Sequence, residues 1–355
     1  MHKFIKLNQI ERKNIIQKAA NDLGLRFDIV EKDIWVCYVL QKLFSDEKLK
    51  DNLIFKGCTC LSKAYNAIGR FSEDVDITIN SKVLNIEASS QTSSGNQKYV
   101  KRNKIAAKKF VENEILPILS KTFDDELGNN NYELAFDESD KNNITLFFQF
   151  SRSENITPWG SKWGSQWSEK TNSYNYIKPK IKLEFGALGG TFPTQKKAIK
   201  PYAKKILTDY FDEFEVNSLD IKRNFIEKLL ILHSIYFRPC NKPIHQNYSR
   251  HYYDIYSIIK SGLIIDLVKD LKILESVVKN KQDFWNESWV DYENVKQFSD
   301  IKLIPNQTRM VEIKKDYKNM EAMFFNNDFP KFEEMILKLQ DFENTLMINN
   351  NNQNL

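Results

Sequence analysis

The chain has 355 residues, enough for two domains and a substantial core, and its 28% charged and 13% aromatic content is that of a folded soluble protein rather than a disordered one. The formal net charge of +5 is mild, no run of 18 apolar residues offers a membrane span, and Met1 to Lys18 lacks the apolar stretch of a secretion signal. The 4 cysteines are too few and too scattered for a disulfide framework, and Cys58 and Cys60 lack a second pair or nearby histidines to make a zinc site, so a reducing cytoplasm is expected.

Residues 8–45 read as helical with a break near Gly24. Ile15, Ile16, Ala19, Ala20 and Leu23 recur at helical spacing before it. After it, Val30, Ile34, Cys37 and Tyr38 form one stripe and Val36, Val39, Leu40 and Leu43 another, so this second helix is expected to be buried. Lys32 reads as an ordinary surface lysine at its polar start, and Cys37 and Cys240 as small buried apolar residues.

Strands over 52–56 and 74–79 are predicted to flank a turn at Gly57 and a short helix. Strand side chains alternate between faces, so Asp74 and Asp76 share one face while Val75 and Ile77 take the other. Neighbouring carboxylates repel unless a cation sits between them, and Mg²⁺ binds through one or two carboxylates plus substrate phosphates. A solvated edge strand is the competing reading. The turn offers backbone N–H groups to an anion, with Gly57 permitting close approach and Ser62, Lys63, Arg70 and Ser72 as candidate phosphate contacts; ordinary capping is the alternative for both serines.

Residues 85–97 read as a loop and 98–120 as a helix, in which Lys98, Lys101, Arg102, Lys104, Lys108 and Lys109 lie in a stretch with no acid. Ile144 to Phe150 is strand-like, and residues 151–176 read as irregular, with Trp159, Trp163 and Trp167 either packing the loop or stacking on bases. Pro179 opens a strand in which Lys180, Lys182 and Glu184 share a face; a plain Glu–Lys pair competes with a role as a third acid. Lys178, Lys180, Lys182, Lys196, Lys197, Lys200, Lys204 and Lys205 form a second basic block. Such blocks attract polyanions, and a solvated lysine face is the alternative. From about 217 the pattern turns helical. Arg250 and Asp254, four apart, could pair within one helix. His2, His233 and His245 have no nucleophile or metal partner by spacing. The expected division is 1–215, 216–348 and a disordered tail over 349–355.

Phe55-Lys56-Gly57-Cys58-Thr59-Cys60-Leu61-Ser62-Lys63 and Arg70-Phe71-Ser72-Glu73-Asp74-Val75-Asp76-Ile77 together resemble the AbiEii/AbiGii toxin family, whose members commonly show K-G-G-T-x-L-S-K and R-F-S-E-D-I-D-L. Val30-Glu31-Lys32-Asp33-Ile34-Trp35-Val36 and Arg250-His251-Tyr252-Tyr253-Asp254-Ile255-Tyr256 fit the same pattern. Cys58 departs from it, standing where a second glycine is usual. The resemblance implies an α+β fold, with a polymerase-β-type mixed sheet flanked by helices plus a helical carboxy-terminal domain. It implies Mg²⁺ (or Mn²⁺) on Asp74, Asp76 and Glu184, and NTP as substrate. It implies nucleotide contacts from Lys56, Gly57, Thr59, Ser62, Lys63, Arg70, Ser72, Lys228 and Arg250, with Asp254 orienting Lys228 or the nucleotide. It also implies transfer to RNA, tRNA first, within a toxin–antitoxin or phage-defence system that includes a cognate antitoxin. Transfer to a protein, or a binding module without transfer, are the alternatives.

Overall fold

The computed structural model describes residues 1–84, 93–140, 144–151, 177–263, 270–285, 287–320, 323–325 and 329–351. The three tryptophans at 159, 163 and 167 and residues 352–355 lie outside them. Two short helices open the chain, α1 (His2–Ile5) and α2 (Gln9–Leu23). Asn8 and Glu11 cap α2 reciprocally, and Gly24 ends it in the left-handed region at φ 64°. The long α3 (Phe27–Ser45) follows, buried along nearly its whole length. Then come β1 (Leu53–Lys56), α4 (Gly57–Lys63) and β2 (Val75–Ile79).

The basic helix α5 (Ser93–Phe110) starts inside the stretch read as loop. It continues through a π turn at 111–115 into α6 (Leu116–Leu127). The strands β3 (Tyr132–Phe136), β4 (Thr145–Phe150), β5 (Lys180–Gly186), β6 (Thr194–Ile199) and β7 (Phe214–Leu219) complete the sheet. Helices α7 (Ile221–Phe237), α8 (Ser249–Lys260), α9 (Leu271–Phe284), α10 (Gln307–Lys318) and α11 (Phe332–Asn351) form the carboxy-terminal half. The last helix thus runs into the segment read as tail. No described helix is long and apolar enough to cross a membrane.

Among the described residues the sheet is seven-stranded and mixed, in the order β3-β4-β5-β2-β1-β7-β6. Its alternation divides two environments. Val75, Ile77, Leu183 and Phe185 point into a core built with α3, where Trp35, Tyr38, Phe123, Phe148 and Phe150 make a run of ring contacts. Asp76, Thr78 and Glu184 take the opposite face. A second core joins Leu61, Ala67 and Ile68 to the apolar stripes of α7 through α11. The end of α4 is therefore where the two cores meet.

Three expectations change. Cys240 is exposed, because it falls in the turn after α7 rather than on an apolar face. Lys32 is buried at 3% exposure and bonded to Glu73. The second lysine block is not a uniform basic face. Antiparallel pairing sets Ala198 opposite Glu215, and Lys200 bonds Glu213 at 2.6 Å, so acids of the β7 region are interleaved with it.

His233 ties α7 to the segment leading into α10. Its Nδ1 accepts the backbone N–H of Lys302 at 3.0 Å. Burial, reinforced by the Lys302 charge, lowers its pKa from 6.5 to about 4. The unfolded chain therefore binds the extra proton first, so this contribution is complete above pH 6.5 and is lost as pH falls towards 4. At about 1.4 kcal/mol per pH unit, stability should drop by roughly 2 kcal/mol between pH 6.5 and 5. His233→Gln should flatten that slope in urea titrations; an undiminished slope would remove His233 as its source.

Candidate active site

The sheet register assembles the site. Lys56 on β1 lies opposite Asp76 on β2, and Glu184 on the parallel neighbour β5 lies beside Asp76 on the other side. Residues paired across strands share a face, so Lys56, Asp76 and Glu184 form a row across three strands. Asp74 precedes β2 and is half-buried. Burial, the facing Glu184 and the nearby Asp74 push the Asp76 carboxyl up to about 7, with Lys56 opposing. Burial, Glu73 and Glu184 also raise Asp74, against Arg250 and Lys32. Lys182, next to Glu184 on the same face, is ion-paired with it.

Among the described residues no three His, Cys, Asp or Glu side chains converge to hold a metal ion by themselves, so Asp74, Asp76 and Glu184 do not make a complete cage. Asp76 and Glu184 are nonetheless an adjacent pair of acids, and Glu184 raises the proton affinity of Asp76. That is the donor set Mg²⁺ takes when phosphates and water fill its remaining positions.

Gly57 fixes the turn against this pair. It has φ +75°, and a Cβ there would lie 2.0 Å from Asp76 Oδ2. Its N–H donates to Asn224 Oδ1 at 3.3 Å. Cys58 is helical and is absent from the positive-φ residues, so the second glycine of the family pattern is not needed for this turn. Gly57→Ala should displace the Asp76 carboxylate. We expect about a hundredfold loss of activity with a folded protein destabilised by roughly 1–3 kcal/mol, read by initial rates and thermal melting; wild-type rates would exclude this packing role.

Beside the turn lies a buried charge cluster. Arg70 donates to Asp254 Oδ1 from Nε at 2.7 Å and to Oδ2 from Nη2 at 2.9 Å. Lys228 Nζ donates to Asp254 Oδ2 at 2.8 Å and to Cys58 Sγ at 3.2 Å, while the Cys58 thiol donates to Asp254 Oδ2 at 3.4 Å. Burial would raise the Asp254 carboxyl, but Arg70 and Lys228 hold it well below the usual carboxylate range. One carboxylate against two cations leaves the cluster net positive. The intrahelical Arg250–Asp254 pair is absent: Asp254 turns to Arg70 and Lys228, whereas Arg250 acts on Asp74 and its buried Nε has no hydrogen-bond partner.

Other candidates stand elsewhere. Lys63 is buried and bonded to Asp33 Oδ1 at 2.6 Å, with its ammonium 3.7 Å from the centre of the Tyr202 ring. Ser62 bonds the Tyr202 hydroxyl at 3.0 Å. Both lie five or six residues beyond Gly57, about 8–9 Å along the helix, where Lys63 fastens α4 to α3 and Ser62 fastens it to the turn at 202–205. Thr59 is buried and donates to the Asp74 carbonyl, while the Ser72 hydroxyl, 2.9 Å away, is left to donate to Thr59 Oγ1, pinning the approach to β2. The hydroxyls of Thr59 and Ser62 and the charge of Lys63 are thus engaged with partners inside the protein. Lys32 and Asp33 were missed as parts of the assembly. The Val-Glu-Lys-Asp string was their only signal, since nothing local shows where a buried lysine finds its acid.

A family model described as "Nucleotidyl transferase AbiEii toxin, Type IV TA system" matches residues 38–346, and the chain belongs to that family of nucleotidyltransferase toxins. The system it serves pairs such a toxin with an antitoxin. Among solved structures, the chain is similar to MenT4, the nucleotidyltransferase toxin Rv2826c from Mycobacterium tuberculosis H37Rv, at 12% identity and a TM-score of 0.43 over 94% of this chain and 98% of that one. No curated protein matches.

Proposed function

We propose that the chain moves a nucleoside monophosphate from an NTP to an RNA acceptor, tRNA first among candidates, releasing pyrophosphate. The observation that carries this is the Asp76–Glu184 pair on adjacent parallel strands, bordered by a net-positive cluster. Asp76 and Glu184 would hold Mg²⁺ (or Mn²⁺), with Asp74 at the edge of the pair, and the ion would neutralise charge on the transferring phosphate. Lys228, aligned by Asp254, offers its ammonium to phosphate oxygens. The unpartnered Arg250 Nε would add a further donor. Arg70 acts through Asp254, because its Nε and Nη2 both donate to that carboxylate while its Nη1 is held by the Phe71 carbonyl. Glu184 would accept the proton of the attacking hydroxyl once Lys182 is drawn away from it.

The test is incubation with each α-labelled NTP, Mg²⁺ and total tRNA, resolved on a denaturing gel. Label on tRNA that requires the divalent ion supports the reading and identifies the nucleotide. Label on protein redirects it to protein modification, and no label with any acceptor refutes transfer.

A further inference from the structure

Helices α7 and α8, which bring Lys228 and Asp254 together, are joined by residues 238–248. At 1.5 Å per helical residue, this loop begins about 14 Å beyond Lys228 along α7 and ends about 8 Å before Asp254 along α8. From Tyr236 to Tyr253 the sequence has no acid, yet it supplies Arg238, Lys242, His245, Tyr248 and Arg250. Two buried side chains of α10 fasten the loop by its backbone. Arg309 Nη2 donates to the carbonyls of Pro239 at 2.7 Å and Lys242 at 3.0 Å. Asp316 accepts the N–H groups of Asn247 at 2.7 Å and Ser249 at 2.8 Å. The side chains remain on the surface: Lys242 and His245 are exposed, and Arg238 and Tyr248 are half-buried.

The cations are gathered without a counter-charge. Arg238 Cζ lies 5.0 Å and Lys242 Nζ 4.4 Å from the centre of the Trp289 ring, so one indole collects two like charges. Among the described residues no carboxylate pairs with either, and like charges held close gain from an anion beside them. Arg238 Nε donates to the carbonyls of Lys242 at 3.3 Å and Pro243 at 3.2 Å, which leaves the outer guanidinium nitrogens for a phosphate. Towards α8, the rings of His245 and Tyr248 lie 5.2 Å apart, and those of Tyr248 and His251 5.4 Å apart. This ladder leads from an exposed ring to a buried one, three residues before Asp254. Cations take backbone phosphates, and rings stack on bases that lie outside a duplex. An acidic peptide would use the cations alone.

We propose that the 238–248 loop docks a single-stranded segment of the RNA acceptor, with Arg238 and Lys242 on its phosphates and His245 and Tyr248 stacked on a base. The strand then follows α8 past Arg250 towards the acids. This rests on the nucleotidyl-transfer reading and adds the face from which the acceptor arrives.

The experiment compares wild type, the double variant Arg238→Gln/Lys242→Gln, His245→Ala and Lys228→Gln as full chains. Binding of fluorescent tRNA is followed by anisotropy at several salt concentrations, with unlabelled single-stranded and duplex RNA as competitors, and NTP binding with Mg²⁺ by calorimetry. The double variant should weaken tRNA binding about tenfold and lower the salt slope by about 1–1.5, with NTP affinity within twofold. His245→Ala should weaken it about fivefold at an unchanged slope, because stacking releases no counterions. That ring is exposed, so this variant carries the test if the double variant melts early. Lys228→Gln should lose NTP affinity and keep that for tRNA. Unchanged tRNA binding in both loop variants, or duplex competing as well as single strand, overturns the proposal; so does a loss of NTP affinity in the double variant. If wild type labels a protein and binds no tRNA, this inference fails while nucleotidyl transfer stands. If no acceptor is labelled yet the loop variants still weaken tRNA binding, the docking surface stands and the transfer reading fails.

Discussion

Asp76→Asn should lower nucleotidyl transfer about a thousandfold and at the same time raise the melting temperature at pH 8 in metal-free buffer. The two effects have one cause. Asp76 lies beside Glu184 on the neighbouring strand, and burial with that like charge pushes its carboxyl up to about 7. At pH 8 the native state carries a charge that the unfolded chain accommodates more easily, so a neutral side chain of the same shape relieves repulsion. Below about pH 6 the wild-type carboxyl is itself protonated in the fold, and the advantage of Asn should shrink. A group retained at a cost to stability is the mark of a working site. Rates with labelled NTP, together with melting curves at pH 6 and 8 in chelator, test both parts. A variant with wild-type activity would remove Asp76 from the site, and one that is less stable at both pH values would make it a structural residue.

The second large effect concerns Asp254. Its carboxylate is fully buried and is shared by Arg70 and Lys228, themselves buried. Asp254→Ala leaves two cations without a counter-charge in the interior, a loss of about 3–5 kcal/mol, and activity should vanish with it. Lys228→Met should cost much less, because Arg70 still satisfies the carboxylate through both oxygens, while activity is lost all the same. Urea titrations of the two variants separate the roles: equal destabilisation would show that Lys228 is chiefly a structural counter-ion. The pH sign is set by the depressed Asp254 pKa. Its contribution is complete above the ordinary carboxylate range and is lost only in strong acid, so the gap between wild type and Asp254→Ala should be constant from pH 5 to 8.

The parts of this molecule that were readable from sequence are those where local pattern and tertiary role agree. Gly24 broke the amino-terminal helices where a left-handed residue was required. The alternation of Val75, Asp76 and Ile77, and of Leu183, Glu184 and Phe185, separated a core face from an acid face because both strands lie inside the sheet. The strands β3, β6 and β7 escaped notice. Edge strands such as β6, Thr-Gln-Lys-Lys-Ala-Ile, are polar on both faces, and that composition carries no period of two. Among site residues, the four-residue spacing of Arg250 and Asp254 pointed to a helical pair, but a fully buried carboxylate took the two cations that tertiary packing delivered. In sequence Lys63 read as a candidate phosphate contact and Lys32 as an ordinary surface lysine. Only the approach of α3 to α4, and of α3 to the segment before β2, showed that Asp33 and Glu73 had already claimed them.

The Arg70–Asp254 bond joins groups 184 residues apart. During synthesis the amino-terminal strands, the acid pair and the glycine turn all emerge well before α8. Until Asp254 leaves the ribosome, Arg70 and Lys228 have no carboxylate to fix them, and the cleft lacks its cationic wall. Prematurely terminated or clipped products that end before this helix would carry the acids yet lack the arrangement that uses them. For a toxin, such a late-arriving keystone confines activity to molecules made at least through this helix, and it sets the interval in which a cell can intercept the chain before it becomes harmful.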